Sequence, residues 1–328
     1  MLYDNHGRVI NYLRIAVTDR CNLRCHYCMP EEGIKYVDRS DLLTFEELER
    51  IVTVFAELGI DKIRITGGEP FLRKGIHNFL ESIVAIDGVK STHITTNGTL
   101  THDKVGEFKD LGISSVNLSL DSLDPSRFFE ITRRDNFDKV MTTLTELIEH
   151  EIPTKINMVV MNRHNIDDIV PMIELTKHND ISVRFLEEMP FNGSGEHDDL
   201  STWNHIQILD YIKSYHPGLR KIDDGPNSTS SDYQVPGYVG NIGVIASFSR
   251  TFCGTCNRLR LTPTGLLKTC LYDDGVFNIR DLIRQGATDA DLSHTLIEAL
   301  SHRAKDGHDA ELKRSTNRIS ESMATIGG

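Results

Sequence analysis

The sequence predicts an α/β fold built as an incomplete (β/α)6 barrel of the TIM type, with a C-terminal α+β extension. From residue 11 to about residue 190, apolar runs of strand length alternate with amphipathic stretches of helical period. Repeated βα units imply a parallel sheet with helical crossovers. Because six units are fewer than the eight of a closed TIM barrel, an open barrel is favoured over a doubly wound sheet.

The strands of this barrel are predicted at residues 12–17, 62–66, 92–95, 115–120, 155–160 and 181–186. Helices are predicted between them at residues 45–58, 102–111, 137–150 and 167–178. The first helix has a well-marked beginning, because Thr44 is a good N-cap residue and Glu47 follows at the N3 position of a capping box.

The second part of the chain is less regular. Residues 192–199 and 223–231 are rich in polar and turn-forming residues and are predicted to be loops, which divides the chain into a barrel domain (1–190) and a C-terminal region (191–328). Within that region, strands are predicted at 238–246 and 258–261, a turn at 263–265, and helices at 279–285 and 289–305. Residues 320–328 have the composition of a mobile tail.

The composition is that of an ordinary globular protein with an acidic net charge. The chain has 36 Lys and Arg against 48 Asp and Glu, a formal charge of −12, which argues against binding to nucleic acid or to an anionic membrane. No apolar run approaches the roughly 18 residues of a membrane span, and the first ten residues lack the apolar segment of a signal peptide. We expect a cytoplasmic protein that holds any anionic ligand with a few local cations.

All six cysteines fall into two groups of three. In a chain without a secretory signal, this distribution favours thiolate ligation or redox chemistry over a disulfide framework. The first group has the spacing C-x3-C-x2-C and the second the spacing C-x2-C-x13-C. The first triplet is Cys21, Cys25 and Cys28, and the second triplet is Cys253, Cys256 and Cys270.

Three thiolates are one short of a closed zinc site, whereas an iron–sulfur cluster held by three cysteines leaves one iron open to bind a ligand. His26 could complete a zinc site, but it is the chain neighbour of Cys25 and is poorly placed to close the same tetrahedron. The second triplet lacks the second close pair of a zinc ribbon. Both triplets therefore favour incompletely coordinated clusters, and zinc stays the alternative.

Polar residues follow several predicted strands, at the edge where a parallel barrel binds its ligands. The segments are 66–70, 95–98, 119–121 and 187–189. Gly67 and Gly68 would let a backbone approach a ligand closely. Taken singly, these residues are also compatible with a turn glycine, a capping serine or a core methionine.

Three cations alternate with apolar residues on the predicted strands. Arg14, Arg64 and Lys155 therefore point away from the helix-packed face and into the barrel, and Arg184 is a fourth candidate. Unpaired charges there would be costly, so the cations require either internal salt bridges or an anionic ligand such as a polyphosphate. The carboxylates available for internal pairing are Glu69, Asp121 and Glu187.

Residues 20–30, RCNLRCHYCMP, resemble the cluster loop of the radical S-adenosylmethionine (radical SAM) family. The resemblance implies a [4Fe-4S] cluster on the first triplet, whose open iron binds S-adenosyl-L-methionine as the source of a 5′-deoxyadenosyl radical. The positions that match the family's cofactor contacts are Tyr27, Gly68, Ser119 and Met189.

The second triplet, with the sequence NRLRL at residues 257–261 and a Gly-Gly end, resembles the branch of this family that cyclises GTP in molybdenum cofactor biosynthesis. This implies a lyase with a second [4Fe-4S] cluster that binds the guanine of GTP, an external electron donor, and a homodimer. The positions that match GTP contacts are Arg14, Arg64, Thr95, Lys155, Arg258 and Arg260.

For the active site, the resemblance implies that the terminal Gly327 and Gly328 enter it as a tail, although Ala324 and Thr325 stand where the family more often has an aromatic residue before Ile-Gly-Gly. We expect Arg258 or Arg260 to supply the proton of the last step. Two alternatives stay open: a peptide-maturing radical SAM enzyme with an auxiliary cluster, and a zinc-stabilised scaffold without catalytic activity.

Overall fold

A computed structural model describes residues 1–194, 203–315 and 319–327. Its strands are β1 (Tyr12–Ala16), β2 (Lys62–Thr66), β3 (Ser91–Thr96), β4 (Ile113–Ser119), β5 (Thr154–Val160), β6 (Ile181–Glu187), β7 (Arg220–Lys221), β8 (Ser230–Gln234), β9 (Asn241–Ile245), β10 (Arg258–Leu261), β11 (Leu266–Lys268) and β12 (Phe277–Asn278). Its helices are α1 (Phe45–Glu57), α2 (Ile76–Val84), α3 (Val105–Asp110), α4 (Pro125–Thr132), α5 (Phe137–Glu149), α6 (Ile169–Glu174), α7 (His205–Tyr215), α8 (Ile279–Arg284), α9 (Asp289–Ser301), α10 (Gly307–Leu312) and α11 (Met323–Ile326).

The strands form one unclosed sheet in the order β12-β11-β10-β1-β2-β3-β4-β5-β6-β9-β8-β7. Strands β1 to β6 follow one another in chain order and every neighbouring pair among them is parallel. A doubly wound sheet would reverse its strand order at a switch point, and this sheet does not. The prediction of an open (β/α)6 barrel of the TIM type is confirmed.

The C-terminal region continues the barrel sheet at both edges, which the prediction of an appended extension did not include. Strand β10 pairs in parallel with β1, and β9 pairs in parallel with β6. Without them, β1 and β6 would be edge strands with unpaired backbone groups. The pairing of β10 also sets Arg260 beside Arg14 in the register of the sheet.

Each predicted barrel strand is present to within two residues at either end. The helix predicted at 102–111 begins only at Val105, and the one predicted at 167–178 is the short α6, which follows a 3₁₀ turn at Ile166–Asp168. Helix α9 ends at Ser301, before the predicted residue 305. Helices α2, α4, α7, α10 and α11 were not predicted. Helix α4 begins with Asp124 as N-cap and proline at the first turn, a pattern that could have shown it.

The strands present alternate faces to the core and to the barrel interior. Leu13 and Ile15 are fully buried against the helices, as are Ile63 and Ile65 on the next strand. The residues between them, such as Arg14, point to the opposite face. This alternation confirms the predicted orientation of the barrel cations.

Among the helices of the described residues, none combines the length and the hydropathy needed to cross a membrane.

The capping box predicted at the start of α1 is present. The backbone N–H of Glu47 donates to Thr44 Oγ1 (3.1 Å), and the Thr44 N–H donates to Glu47 Oε2 (2.7 Å). Thr44→Ala is expected to lower the free energy of unfolding by about 1 kcal/mol, because the backbone N–H groups of Thr44 and Glu47 lose the reciprocal side-chain hydrogen bonds of the capping box. Urea unfolding of the metal-free protein measures the change.

Thr53 offers a matched control on the same helix, since it is exposed and mid-helical. Thr53→Ala is expected to change stability by less than about 0.5 kcal/mol. Equal effects of the two substitutions would contradict a specific contribution from the cap.

The C-terminal segment is docked, so the composition-based prediction of a mobile tail at 320–328 is wrong over the described residues. Ala324 and Ile326 are almost completely buried, and Ser322 caps α11 and forms a β-bridge with Asn192. The side chain of Ile326 belongs to a small second core around Phe191, and Met323 packs against that core, which the local composition could not reveal. Gly328 and most of the loop predicted at 192–199 lie outside the described residues.

Candidate active site

A single cavity of about 530 Å³ occupies the barrel interior and brings together nearly all of the predicted site residues. Among the residues lining it are Cys21, Cys25, Cys28, Cys253, Cys256, Cys270, Tyr27, Gly68, Ser119, Met189, Arg14, Arg64, Thr95, Lys155, Arg184, Arg258 and Arg260. Residues of the tail helix, Met323 and Ala324, complete the lining.

The two triplets lie at opposite ends of the barrel strands. The first triplet follows the carboxyl end of β1, whereas Cys256 precedes the amino end of β10, which runs parallel to β1. Cys270 follows β11, which is antiparallel to β10 and therefore ends on the same side. The strands that carry the cations span the distance between the triplets.

The thiols of the first triplet are free, and the three residues are partly buried. Cys21 Sγ accepts hydrogen bonds from the Leu23 backbone N–H (3.4 Å) and Asn97 Nδ2 (3.7 Å). Burial, together with the neighbouring Cys28, raises the pKa of Cys21 to about 12. The chain alone does not stabilise three thiolates here, so their ionisation requires a bound cationic centre, which fits a metal cluster.

The glycine pair after β2 allows close approach of another segment of the chain. A Cβ on Gly67 would lie 2.6 Å from the Thr18 carbonyl oxygen, and one on Gly68 would lie 2.3 Å from the Arg20 carbonyl oxygen. The missing side chains admit the backbone that leads into Cys21, and the Gly68 N–H donates to Thr18 O (2.8 Å). The two glycines therefore allow the backbone before the cysteine loop to pack closely against them, and Gly68 also lines the cavity.

The carboxylates considered as internal partners of the barrel cations bond to other groups. Glu69 is buried and accepts from the backbone N–H of Asn97 (2.7 Å), the hydroxyl of Thr96 (2.9 Å) and the N–H of Phe71 (3.1 Å). Burial raises the pKa of Glu69 to about 7. Glu187 accepts from the N–H groups of residues 205, 248 and 249. The salt-bridge alternative receives no support from Glu69 or Glu187.

Asp121 positions the tyrosine of the cysteine loop. Its Oδ2 accepts from the Tyr27 hydroxyl (2.8 Å), and its Oδ1 accepts from the Val159 N–H (2.9 Å). Asn165 Nδ2 donates to the Asp121 carbonyl oxygen (2.9 Å) and ties this arrangement to β5. From the sequence, Asp121 was a candidate only as a partner for the cations. Its hydrogen bond to Tyr27 could not be predicted, because the two residues lie far apart in the chain.

The free energy of unfolding of Asp121→Asn, relative to that of the parent, is expected to increase as pH rises from about 4 to about 6. Burial raises the pKa of Asp121 from its ordinary 3.8 to about 6, so in this window the folded protein holds a proton that the unfolded chain has released. The Asp121 contribution to stability therefore falls as pH rises through the window. Asparagine keeps the size and an acceptor for Val159, and it removes this loss, worth about 3 kcal/mol at full ionisation.

The measurement is urea unfolding of both metal-free proteins across that pH range, with the difference between them as the result. Other titrating groups, such as Glu69, are shared by the two proteins and cancel in the difference. A difference that stays constant with pH would contradict the prediction.

The cavity is strongly cationic. Over the described residues, eight basic side chains line it against three carboxylates. Burial, and repulsion from Arg184, lower the pKa of Lys155 to about 8. Burial also lowers the pKa of Arg184 and of Arg260 to about 10, with further lowering from neighbouring arginines. Such a cluster favours a polyanionic ligand, which would relieve the repulsion.

Arg64 is oriented before any ligand arrives. It is buried, its Nε donates to the Tyr12 hydroxyl (2.5 Å), and its Nη1 donates to the Ile94 carbonyl oxygen (3.0 Å) and Thr95 Oγ1 (3.4 Å). Although burial opposes ionisation of Tyr12, the charges of Arg64 and Arg14 dominate and lower its pKa to about 7. Sequence analysis missed Tyr12, although it has the same strand parity as Arg14 and could have been found by that alternation.

The thiols of the second triplet are also free. Cys256 Sγ accepts from Arg303 Nη2 (3.3 Å), and the Cys270 N–H donates to Asp273 Oδ2 (2.7 Å). Burial and the charge of Asp273 raise the pKa of Cys270 to about 12. Neither Arg303 nor Asp273 was a candidate from sequence, because no local pattern links them to the triplet.

Over the parts of the chain that the structure describes, no three His, Cys, Asp or Glu side chains converge closely enough to hold one metal ion. A zinc ion needs its sulfur ligands about 2.3 Å from a single centre. A cluster distributes its cysteines over several iron atoms and does not need that convergence.

The tail connects the first triplet to the cations. Ser322 Oγ donates to the Cys28 carbonyl oxygen (2.6 Å), and Arg260 Nη1 donates to the Gly327 carbonyl oxygen. Lys268, which is completely buried, pairs with Glu321 (2.8 Å) and holds the start of this segment. The described part of the tail thus borders the cavity, and Gly328 lies outside the described residues.

Comparisons with known proteins agree with this site. A model of the radical SAM superfamily matches residues 15–176, and a model described as Molybdenum Cofactor Synthesis C matches residues 181–309. A GTP 3′,8-cyclase of Desulforamulus reducens is 39% identical over 312 residues, which are 94% of this chain and 95% of that protein. The chain belongs to the GTP 3′,8-cyclase family of radical SAM proteins. Membership in this superfamily implies a [4Fe-4S] cluster and S-adenosylmethionine.

Other members of the GTP 3′,8-cyclase family are similar over most of the chain. The mitochondrial GTP 3′,8-cyclase of Arabidopsis thaliana is 37% identical over all of this chain and 84% of its own length. Mouse molybdenum cofactor biosynthesis protein 1 is 39% identical over 93% of this chain and 48% of its own length. The chain thus spans about half the length of several animal relatives.

Solved structures share the fold. The crystal structure of Streptococcus suis SuiB has a TM-score of 0.62 at 15% identity, covering 96% of this chain and 76% of that one. The structure of anSMEcpe with bound AdoMet and Cp18Cys peptide has a TM-score of 0.57 at 16% identity, covering 91% and 81%. At these identities the likeness concerns the fold alone.

Proposed function

We propose that this chain is a GTP 3′,8-cyclase, a lyase that converts GTP to (8S)-3′,8-cyclo-7,8-dihydroguanosine 5′-triphosphate in the first step of molybdenum cofactor biosynthesis. One observation carries the proposal: a cavity with a cysteine triplet at each end of its strands is lined between them by a surplus of cations. The names of the relatives that the chain matches nearly end to end support the same activity.

The first triplet fits a [4Fe-4S] cluster, and its surroundings fit S-adenosylmethionine. When bound, this cluster supplies the electron that cleaves S-adenosylmethionine to methionine and a 5′-deoxyadenosyl radical, which starts the cyclisation. In the proposal, Tyr27, Gly68, Ser119 and Met189 contact the cofactor. Tyr27 is held for this by Asp121, and Gly68 by the backbone before Cys21.

The second triplet fits another [4Fe-4S] cluster, which in the proposal binds the guanine of GTP at the amino end of the strands. The cations between the triplets then hold the triphosphate; they are Arg14, Arg64, Lys155, Arg258 and Arg260, with Thr95 beside Arg64. Fixing both ends of GTP holds the ribose and the base in the conformation that ring closure needs.

Residues of the chain also control protons and water. Burial lowers the pKa of Arg260 to about 10, which makes this guanidinium a better proton donor than a solvated arginine, with Arg258 as its neighbour. Gly327 accepts from Arg260, so in the proposal the described part of the tail covers this side of the cavity and excludes water. The catalytic role of Gly328 is carried over from the family resemblance.

The proposal extends to the wider setting of the enzyme. An external electron donor and a homodimer are further expectations from the family, as is the cytoplasm. The two family models divide the chain between residues 176 and 181, before the sixth barrel strand. The division at about residue 190 remains part of the proposal.

The test is anaerobic incubation of the reconstituted protein with dithionite, S-adenosylmethionine and GTP. We expect 5′-deoxyadenosine and the cyclised nucleotide to form together. No deoxyadenosine above a GTP-free control would overturn the proposal. A peptide that replaced GTP in driving deoxyadenosine formation would instead favour the peptide-maturing alternative.

A further inference from the structure

Arg303 lies directly behind the second triplet and bonds to it at several points. Its side chain is 3% exposed. Nε donates to the Thr269 carbonyl oxygen (3.0 Å), and Nη1 donates to the Cys256 carbonyl oxygen (3.0 Å). Nη2 donates to Cys256 Sγ (3.3 Å) and to the Arg258 carbonyl oxygen (3.0 Å). One guanidinium is therefore hydrogen-bonded both to Cys256 and to Thr269, the residue before Cys270.

The N-terminal segment holds this guanidinium in place. Asp4 is buried, and its Oδ2 accepts from Arg303 Nη1 (3.2 Å) and from Arg8 Nε (2.6 Å). Arg8 Nη1 in turn donates to the Cys253 carbonyl oxygen (3.0 Å). A single carboxylate thus links two arginines, each of which contacts a different cysteine of the triplet.

The charges in this arrangement do not balance without a ligand. A buried guanidinium, that of Arg303, and a partly buried one, that of Arg8, share one carboxylate, and the excess positive charge lies at the Cys256 sulfur. Buried charges are costly unless they are compensated. Thiolates that ligate a cluster supply the missing negative charge, and hydrogen bonds to ligand atoms fix ligand orientation and tune a metal centre.

The first triplet has different surroundings. Cys21 Sγ accepts from a backbone N–H and from the Asn97 amide, and both donors are neutral. A cation beside a cluster sulfur stabilises the reduced cluster, which has the more negative charge, and raises its reduction potential. A cation, Arg24, does bond the Cys21 carbonyl oxygen (2.8 Å), so the difference between the two triplets lies in the donors to the sulfur atoms: neutral at Cys21 and charged at Cys256.

We propose that Arg303, held by Asp4, is a positioning residue of the second cluster, which fixes Cys256 and raises the reduction potential of that cluster. This inference rests on the proposed second [4Fe-4S] cluster. Arg303 acts through Cys256 and the backbone of the triplet, and it requires no contact with GTP.

The experiment isolates the second cluster in full-length protein in which Cys21, Cys25 and Cys28 are replaced by alanine. In this background, Arg303→Gln is expected to lose iron to a chelator about 10- to 100-fold faster than the parent. The potential of the remaining cluster should fall, and its electron paramagnetic resonance signal should shift. Arg303→Lys keeps the charge but not the planar fork of the guanidinium. Its reduction potential should therefore stay close to the parent's, while iron loss should still be faster than in the parent.

Asp4→Asn supplies a test with the opposite sign. It removes the carboxylate that compensates Arg303, so the potential should rise, whereas Arg303→Gln should lower it. A merely structural role for the two residues would shift the potential in the same direction or not at all. Either of those results would overturn the inference.

Arg73→Gln is the matched control. Arg73 also donates to two carbonyl oxygens, those of Val17 and Leu43 (2.6 Å each), outside the second triplet. It should leave iron retention and potential unchanged, and equal losses in Arg73→Gln and Arg303→Gln would overturn a specific role for Arg303. A parent that takes up no iron would instead disprove the second cluster, and this inference with it.

Discussion

We expect Cys25→Ala to abolish the formation of 5′-deoxyadenosine, which is the largest effect predicted for this protein. Cys25 is the middle cysteine of the first triplet, and its loss leaves two sulfurs for a site that requires three. Without a retained cluster, the electron that cleaves S-adenosylmethionine is not delivered. The measurement is chromatographic detection of deoxyadenosine after anaerobic incubation, with a protein-free background.

Cys270→Ala is the informative counterpart, because it removes the same chemical group from the second triplet. This variant should still cleave S-adenosylmethionine, at least slowly, and should form no cyclised nucleotide. Iron analysis of both variants shows which cluster each has lost. Undiminished deoxyadenosine from Cys25→Ala would rule out the assignment of the first triplet to S-adenosylmethionine cleavage.

Arg64→Ala is expected to weaken GTP binding by about 10- to 100-fold, the second largest effect. A hydrogen bond to a charged group contributes about 1.5–3 kcal/mol, and each 1.4 kcal/mol is a factor of ten in Kd. Arg64 is held by Tyr12 and Ile94, so the bound protein spends little entropy on ordering it. Calorimetric titration with GTP measures the loss, and S-adenosylmethionine binding should be unchanged.

Two further variants separate charge from geometry. Arg64→Lys keeps the charge and loses the fork that bonds Tyr12, so its GTP affinity should lie between those of the parent and Arg64→Ala. Arg163→Ala removes the same charge from an exposed position and should have no effect on binding. Equal losses in Arg64→Ala and Arg163→Ala would mean that net charge, and not the barrel site, attracts GTP.

Much of the site was predictable because it depends on local patterns. The spacing of Cys21, Cys25 and Cys28 places three cysteines in one loop, whatever the rest of the fold. Period-two alternation on a strand predicts that Arg14 and Arg64 point away from their apolar neighbours, and the structure confirms this. The repeated βα units similarly predicted the open barrel, since their order alone implies parallel neighbours.

Other features depend on contacts between distant segments. The tail was misjudged because its burial comes from the core around Phe191 and from the ion pair between Glu321 and Lys268, not from its own composition. Asp121 and Tyr12 were missed as positioning residues for the same reason: each acts on a side chain from another strand or loop.

The sequence by itself determined the kinds of chemistry available to this protein: two sets of three sulfurs, a row of inward-facing cations and a family. Tertiary structure alone decided that these groups share one cavity, because the pairing of β10 with β1 places Arg260 beside Arg14 although the two residues are far apart in the chain. It also decided that Asp4 and Arg303, near opposite ends of the chain, meet behind Cys256. Covalent spacing constrains only near neighbours, whereas sheet register and burial bring distant residues together.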